Sequence, residues 1–235
     1  CFTGAGISTE SGIPDFRSLH GLWSRYDPNE YATIDAFITH PEKYWTMHNE
    51  VHNDFQDVKP NKGHYALVEL EKLGKLHAII TQNIDNLHQT AGSKVPVLEL
   101  HGNYNRAYCY NCKKDVDFED LNAKVKQGHI PPYCDECGTK GPIKPDVILF
   151  GEALPMEVLE AATLQTRLCD AMLIVGSSLS VYPAAYVPVE ARARGASLIL
   201  VNDEPTVMDA NMSVRLIGKA GKILPKIVKE VKNIL

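Results

Sequence analysis

The chain carries no excess of basic charge: Lys and Arg number 24 against 29 Asp and Glu, for a net charge of −5. Nucleic acid is thereby disfavoured as a direct partner, because neutralising phosphates needs a basic surface. A mildly acidic surface suits Lys-rich peptides, or simply solubility. Internal repeats and low-complexity tracts are lacking too. No signal peptide is visible, and without secretory features the six cysteines favour metal over disulfides. The chain opens on Cys1 rather than Met, at what reads as the end of a strand, so a short N-terminal helix and most of that strand are expected to precede it. The uncharged run 171–189 is interrupted by Ser177, Ser178, Ser180, Pro183 and Pro188. It reads as a buried strand, a loop and a helix start rather than a membrane span. The expectation is a soluble, cytoplasmic monomer with no membrane partner.

A chain of 235 residues is long enough for one α/β domain and a smaller module. Strand-like apolar runs occur at Leu76–Thr81, Val97–Leu100, Ala171–Val175 and Ser197–Val201, each followed by a polar or Gly-containing turn. Helical patterns lie at Lys62–Leu73, Pro155–Leu168, Ala184–Arg194 and Lys219–Ile234, the last kinked or restarted at Pro225. This alternation predicts an α/β fold, a Rossmann-like doubly wound parallel sheet, with ligands gathered at the carboxyl ends of its strands. A small zinc-ribbon module and a helical module are inserted in it. The sheet domain is assigned to 1–17, 62–104 and 143–235. The helical module (18–61) and the cysteine module (105–142) form a small domain. The cysteine module has few apolar residues, so it needs a staple.

The opening Gly4-Ala5-Gly6-Ile7-Ser8-Thr9 stops one glycine short of the dinucleotide fingerprint G-x-G-x-x-G, and the acid that should hold a ribose about 20 residues on is missing. Glycines there let backbone N–H groups approach a pyrophosphate, although a tight turn with nothing bound fits an isolated match equally. Two later stretches favour a ligand. Asp15-Phe16-Arg17 puts a carboxylate, an aromatic face and a cation in an irregular loop, and Gln82-Asn83-Ile84-Asp85 puts two amides and an acid directly after a buried strand. Polar groups are costly there unless something satisfies them. His101 ends another strand on the same edge, where a neutral imidazole makes a general base. His20, His48, His52 and the remaining histidines read as surface or packing residues. Cys109-x-x-Cys112 and Cys134-x-x-Cys137 have the pairing of a closed four-thiolate site, which suits one structural Zn²⁺, with disulfides or an iron–sulfur centre as alternatives. Cys1 and Cys169 read as core residues.

Taken in order, GAGIS, GIPDFR, QNIDNLHQTAG, LHG, the paired cysteines, FGE at Phe150–Glu152, GSSLSVYPA, VN at Val201-Asn202 and GKAG resemble the sirtuins, NAD-dependent protein deacylases, from end to end as a single catalytic core. Departures are small: Ser177 stands where many members carry Thr, and Ser18 where Gly is frequent. The resemblance implies that NAD is a co-substrate, cleaved between nicotinamide and ribose, and that acetylated lysine peptides or proteins are the partners.

It further implies roles for particular residues. Gly4, Ala5, Gly6, Thr9, Asp15, Phe16 and Arg17 would line the NAD loop, which is expected to be mobile, with Phe16 over the nicotinamide end. Ile84 and Asp85 would hold the carboxamide, and Gln82 and Asn83 the ribose and its water. Gly176, Ser177, Ser178, Asn202, Asp203 and Ala220 would hold the phosphate and adenosine half. His101 would be the general base, acting with Asn83 and Asp85, and excluded water would favour the amide over hydrolysis. The peptide would enter as a strand between Val147–Gly151 and Ser180–Tyr182, with Ile148, Phe150, Gly151 and Val181 at the lysine tunnel. Members that prefer negatively charged acyl groups carry an Arg in the helical module. Residues 40–58 contain none, so neutral acyl groups are expected; Arg25 is the only Arg of the module. Transfer of ADP-ribose to protein, a non-catalytic NAD sensor and a dehydrogenase are the competing readings.

Overall fold

In the computed structural model the described residues are 1–14, 21–55 and 57–235, with the side chains of 52–55 left out of the description. Ten strands are described: β1 (Phe2–Thr3), β2 (Ile79–Thr81), β3 (Val97–Glu99), β4 (Gly102–Cys109), β5 (Asp115–Val116), β6 (Tyr133–Cys134), β7 (Gly138–Val147), β8 (Ala171–Val175), β9 (Ser197–Asn202) and β10 (Val214–Ile217). The helices are α1 (Pro28–Tyr31), α2 (Ile34–Thr39), α3 (Pro41–Phe55), α4 (Lys62–Lys72), α5 (Leu87–Thr90), α6 (Phe118–Lys126), α7 (Met156–Leu168), α8 (Tyr186–Ala193) and α9 (Ala220–Ile234).

Six strands form one parallel sheet in the order β10-β9-β8-β1-β2-β3. Both faces are covered, so its inner strands are apolar runs rather than alternating ones. On one face Ile7, Val175 and Val201 pack against Leu67 of α4 and Leu224 and Val228 of α9. On the other, Phe2, Ile80, Ile174 and Leu198 meet Ala162 of α7 and Val187 of α8. The strand order reverses between β1 and β8, and in such sheets the crevice at that reversal is where ligands bind.

The structure shortens the expected strand Leu76–Thr81 to Ile79–Thr81, the three residues that pair with Val97–Glu99 of β3. It adds β10, an edge strand in which Val214, Leu216 and Ile217 are apolar but the run is only four residues long and broken by Arg215, too short to mark a strand in the sequence. Pro225 does not restart α9. One helix spans Ala220–Ile234, anchored by the buried Leu224 and Val228 on either side of the missing amide hydrogen. Cys169 lies just beyond α7 in extended conformation, partly buried against the core. The run 171–189 resolves into β8, a loop and the start of α8, and among the described residues no helix is long and apolar enough to cross a membrane.

β5-β4-β7-β6 form a second, antiparallel sheet whose ladder runs from Gly102 to Val147. This sheet shares a core with the helices before α4: Phe37, Tyr44 and Trp45 pack with Leu121, Ile143 and Val147. The Trp45 indole donates to Ile143 O at 2.9 Å. The helical segment and the antiparallel sheet thus close one core together, with Ile143 and Val147 of β7 lying beyond 105–142, which explains how a segment so poor in apolar residues packs at all.

Candidate active site

At the strand reversal the loops after β1 and β8 lie against each other. Gly4 N donates to Val175 O at 3.0 Å and Gly6 N to Gly176 O at 2.8 Å. A Cβ on Gly176 (φ +62°) would stand 2.2 Å from Ile7 N, and one on Gly6 2.7 Å from Gly176 Cα. These glycines allow two backbones to touch. The N–H groups of Gly4 and Gly6 are thus committed inside the protein, so these two glycines serve the loop by their close approach rather than as donors themselves. The loop pair sets the floor of the crevice. Thr9 sits on its rim, its hydroxyl donating to Gly6 O at 3.0 Å.

The turn after β2 brings its polar groups onto that floor. Gln82 Nε2 donates to Ser177 Oγ at 2.9 Å, tying the end of β2 to the end of β8. Asn83 is buried, and its amide donates to Gly4 O and to Ser8 Oγ, each at 3.2 Å. Ser8 in turn donates to Asp85 Oδ2 at 2.6 Å, while Asp85 Oδ1 accepts from Leu87 N at 2.9 Å. Burial raises the Asp85 carboxyl above the usual range, and the Ser8 and Leu87 donors pull it back. Ser8 therefore joins the two side chains singled out in the QNID turn. The sequence reading had missed it; the available signal was a hydroxyl that follows a buried isoleucine in a glycine loop.

His101 stands between the two sheets, at the end of β3 and the start of β4. Its Nδ1 lies 3.0 Å from Gln82 O. A carbonyl only accepts, so Nδ1 carries the proton and Nε2 keeps its lone pair. Burial lowers the imidazole below its ordinary range and so favours the neutral form. Gly102 (φ +78°) follows, where a Cβ would meet Asp146 O at 2.0 Å; only glycine brings β4 this close to β7. Beneath the histidine, Glu99 accepts from Gln89, Asn103 and Arg106, and Arg106 also donates to Asp146 at 2.8 Å. This network ties the His101 segment to both sheets.

Ile84 is half-buried and packs against the core of the small domain, and its carbonyl accepts from Tyr104 N at 2.9 Å. Ser178 and Ser180 are exposed and bonded to each other at 2.8 Å. Asn202 donates to Glu204 O at 2.7 Å and accepts from Gly218 N at 2.9 Å, with Asp203 exposed beside it. Ala220 is buried at the start of α9, where Gly221 N donates to Glu10 Oε2 at 2.6 Å; Glu10, too, had escaped the sequence reading. Across the crevice, Ile148 N donates to His101 O at 2.9 Å, Phe150 is exposed at 41% with its ring 5.9 Å from that of Trp23, Gly151 is exposed, and Val181 is half-buried. Asp15, Phe16 and Arg17, with Ser18 and His20, lie outside the described residues, as does the side chain of His52. His48 is a packing residue, stacked on Tyr104 at 4.7 Å.

Far from the crevice, the Sγ atoms of Cys109, Cys112, Cys134 and Cys137 all lie within 4.8 Å of one another. A tetrahedral Zn²⁺ with four thiolates needs Sγ atoms about 3.8 Å apart, so these four fit a closed structural site with small adjustment. Room is made for them by Gly141, whose Cβ would stand 2.5 Å from Cys137 Cβ and 2.8 Å from Cys109 Sγ.

Comparison with known proteins places this arrangement. The model of the Sir2 family matches residues 4–183. NAD-dependent protein deacylase 2 of Archaeoglobus fulgidus is 49% identical over 233 residues, covering 99% of this chain and 90% of that protein. A solved structure described as the structural basis for the mechanism and regulation of Sir2 enzymes superposes with a TM-score of 0.92 at 48% identity, over 100% of this chain and 92% of that one. A Sir2 variant solved with deacetylated p53 peptide and 3'-O-acetyl-ADP-ribose gives 0.91 at 39% identity, over 97% and 91%.

Proposed function

The chain belongs to the Sir2 family, and we propose from its site that it removes acetyl and other neutral acyl groups from protein lysines, with NAD cleaved as co-substrate to nicotinamide and O-acetyl-ADP-ribose. The observation that carries this reading is the convergence of His101, Asn83, Ser8 and Asp85 at the strand reversal. A pure NAD sensor has no use for a neutral imidazole with a free Nε2 lone pair there, and a dehydrogenase has no use for one beside an amide–hydroxyl–carboxyl chain.

In this reading Asp85 and Ile84 hold the nicotinamide carboxamide, the buried carboxyl accepting from the amide. Asn83, held by Gly4 O and Ser8, orders the ribose end and a water. Ser177 and Ser178 serve the phosphates, with Asn202, Asp203 and the start of α9 at Ala220 around the adenosine half. His101 Nε2 takes the proton from a ribose hydroxyl, general-base catalysis worth about 10²–10⁴ in rate. The four thiolates would hold one zinc ion, which supplies a cross-link for the small domain and no chemistry in the crevice.

The acyl-lysine main chain pairs at Gly151. The N–H groups of Ile148, Leu149, Phe150 and Glu152 are engaged by His101 O, Glu152 Oε2, Ala32 O and Leu149 O, so docking concentrates on the exposed glycine between them. Ile148, Phe150 and Val181 line the path of the acyl-lysine.

One incubation tests the reading. With NAD and an acetyl-lysine peptide, mass spectrometry is expected to find free nicotinamide and O-acetyl-ADP-ribose in equal amounts. ADP-ribosylated peptide, NADH or unchanged NAD would each replace it with a different function.

A further inference from the structure

Lys144 lies on β7 and is only 1% exposed. Its ammonium is 3.0 Å from Glu152 Oε2 and donates to Val147 O at 2.6 Å and to Pro145 O at 3.4 Å. The same Glu152 oxygen accepts from Leu149 N at 2.7 Å, and Glu152 N returns a bond to Leu149 O at 3.0 Å. The Leu149–Glu152 turn is therefore closed by main chain and side chain together, with the carboxylate pinned from beneath by a buried cation. On its other flank Phe150 is paired with the helical module: its N–H donates to Ala32 O at 2.9 Å, and its carbonyl accepts from Ile34 N at 3.0 Å. Gly151 stands at the exposed apex with φ +87°.

Stability alone does not account for this pair. Burying an ammonium and a carboxylate costs desolvation that their attraction scarcely repays, and an apolar pair of similar size is often as stable or more so. What the pair adds is direction. The ammonium orients the carboxylate, the carboxylate fixes the Leu149 N–H, and the apex of the turn follows.

We infer that Lys144 and Glu152 are positioning residues for the acyl-lysine peptide, holding the Leu149–Glu152 turn in the shape that lets Gly151 pair with the substrate main chain. The inference rests on the deacylase reading above for the identity of that substrate. It goes beyond that reading by assigning substrate affinity to two side chains that do not touch the crevice chemistry.

The test uses a fluorescent acetyl-lysine peptide, with its Kd measured without NAD and its deacetylation kinetics measured with NAD. The variants are Lys144→Met, Glu152→Gln and the double variant Lys144→Met/Glu152→Leu. Peptide Kd and KM are expected to rise about tenfold in all three, the value of one well-made main-chain contact. The KM for NAD and kcat at saturating peptide should stay within about twofold. Each single variant lowers Tm by leaving a charge unpaired, and the apolar double variant recovers it. A double variant with recovered Tm and wild-type peptide Kd overturns the inference, as does an equal rise in the KM for NAD. A wild-type chain that binds the peptide but makes no O-acetyl-ADP-ribose sinks the deacylase reading alone, and the ranking of Kd values still decides the inference. A wild-type chain that binds no acetyl-lysine peptide ends both.

Discussion

His101 Nδ1 and the carbonyl oxygen of Gln82 are 3.0 Å apart, so the main chain of one motif decides which nitrogen of the other is basic. Because burial holds the imidazole below its ordinary range, the neutral form persists into mildly acid solution. The acid limb of kcat/KM for the peptide is expected below pH 6.5, the ordinary value for His. His101→Ala should lower turnover by about 10²-fold or more while NAD affinity, read by calorimetry, stays within about threefold. Near-normal turnover by that variant would remove His101 from the mechanism.

Ser8 links Asn83 to Asp85 and is itself 1% exposed. Ser8→Ala leaves the Asn83 amide with Gly4 O alone and strips Asp85 of a donor, so the carboxyl moves further up. Nicotinamide exchange should slow by about tenfold or more, with peptide KM little changed. If exchange keeps its wild-type rate, the hydroxyl only fills space.

At Gly176 a methyl group would meet Ile7 N at 2.2 Å from a backbone held at φ +62°. Gly176→Ala is expected to cost about 3 kcal/mol of stability and to weaken NAD binding, since the two crevice loops must part. Urea unfolding with and without NAD measures both.

Chelation should release one Zn²⁺ per chain and lower Tm, because the thiolate cluster closes the end of the antiparallel sheet that carries Ile143 and Val147. Re-addition of Zn²⁺ should restore Tm and deacetylation together. A metal-free chain with unchanged Tm would return the cysteines to the alternatives.

His64 and His88 are buried under the crevice with their rings 5.1 Å apart, and burial lowers them from 6.5 to about 4 and about 3. Between those values and pH 6.5 the unfolded chain binds protons that the native chain does not. Stability is then complete above about pH 6.5 and falls with pH, by up to about 1.4 kcal/mol per unit for each histidine. The urea midpoint should drop steadily from pH 7 to pH 5, and a flat midpoint contradicts the burial.

The small domain shows where reading the chain runs out. Its four cysteines announce themselves by spacing, yet nothing near them tells that Trp45 would reach the carbonyl of Ile143, just beyond 105–142. That contact joins segments distant in sequence, and local composition carries no record of it. β10 escaped because its Val-Arg-Leu-Ile run is only four residues long and is broken by Arg215, too short for a period to show.

From its sequence alone the chain declared the alternation of buried strands and helices, the polar turns that end the strands, the cysteine pairs and the resemblance carried by its motifs. These are local patterns, each written within a few residues by periodicity or by side-chain chemistry. Tertiary structure alone decided that Gly4 and Gly6 spend their N–H groups on the neighbouring loop, that Ser8 bridges Asn83 and Asp85, and that Lys144 lies buried beneath Glu152. Such relations depend on which strand ends become neighbours in the folded sheet, and that is set by the packing of the whole chain.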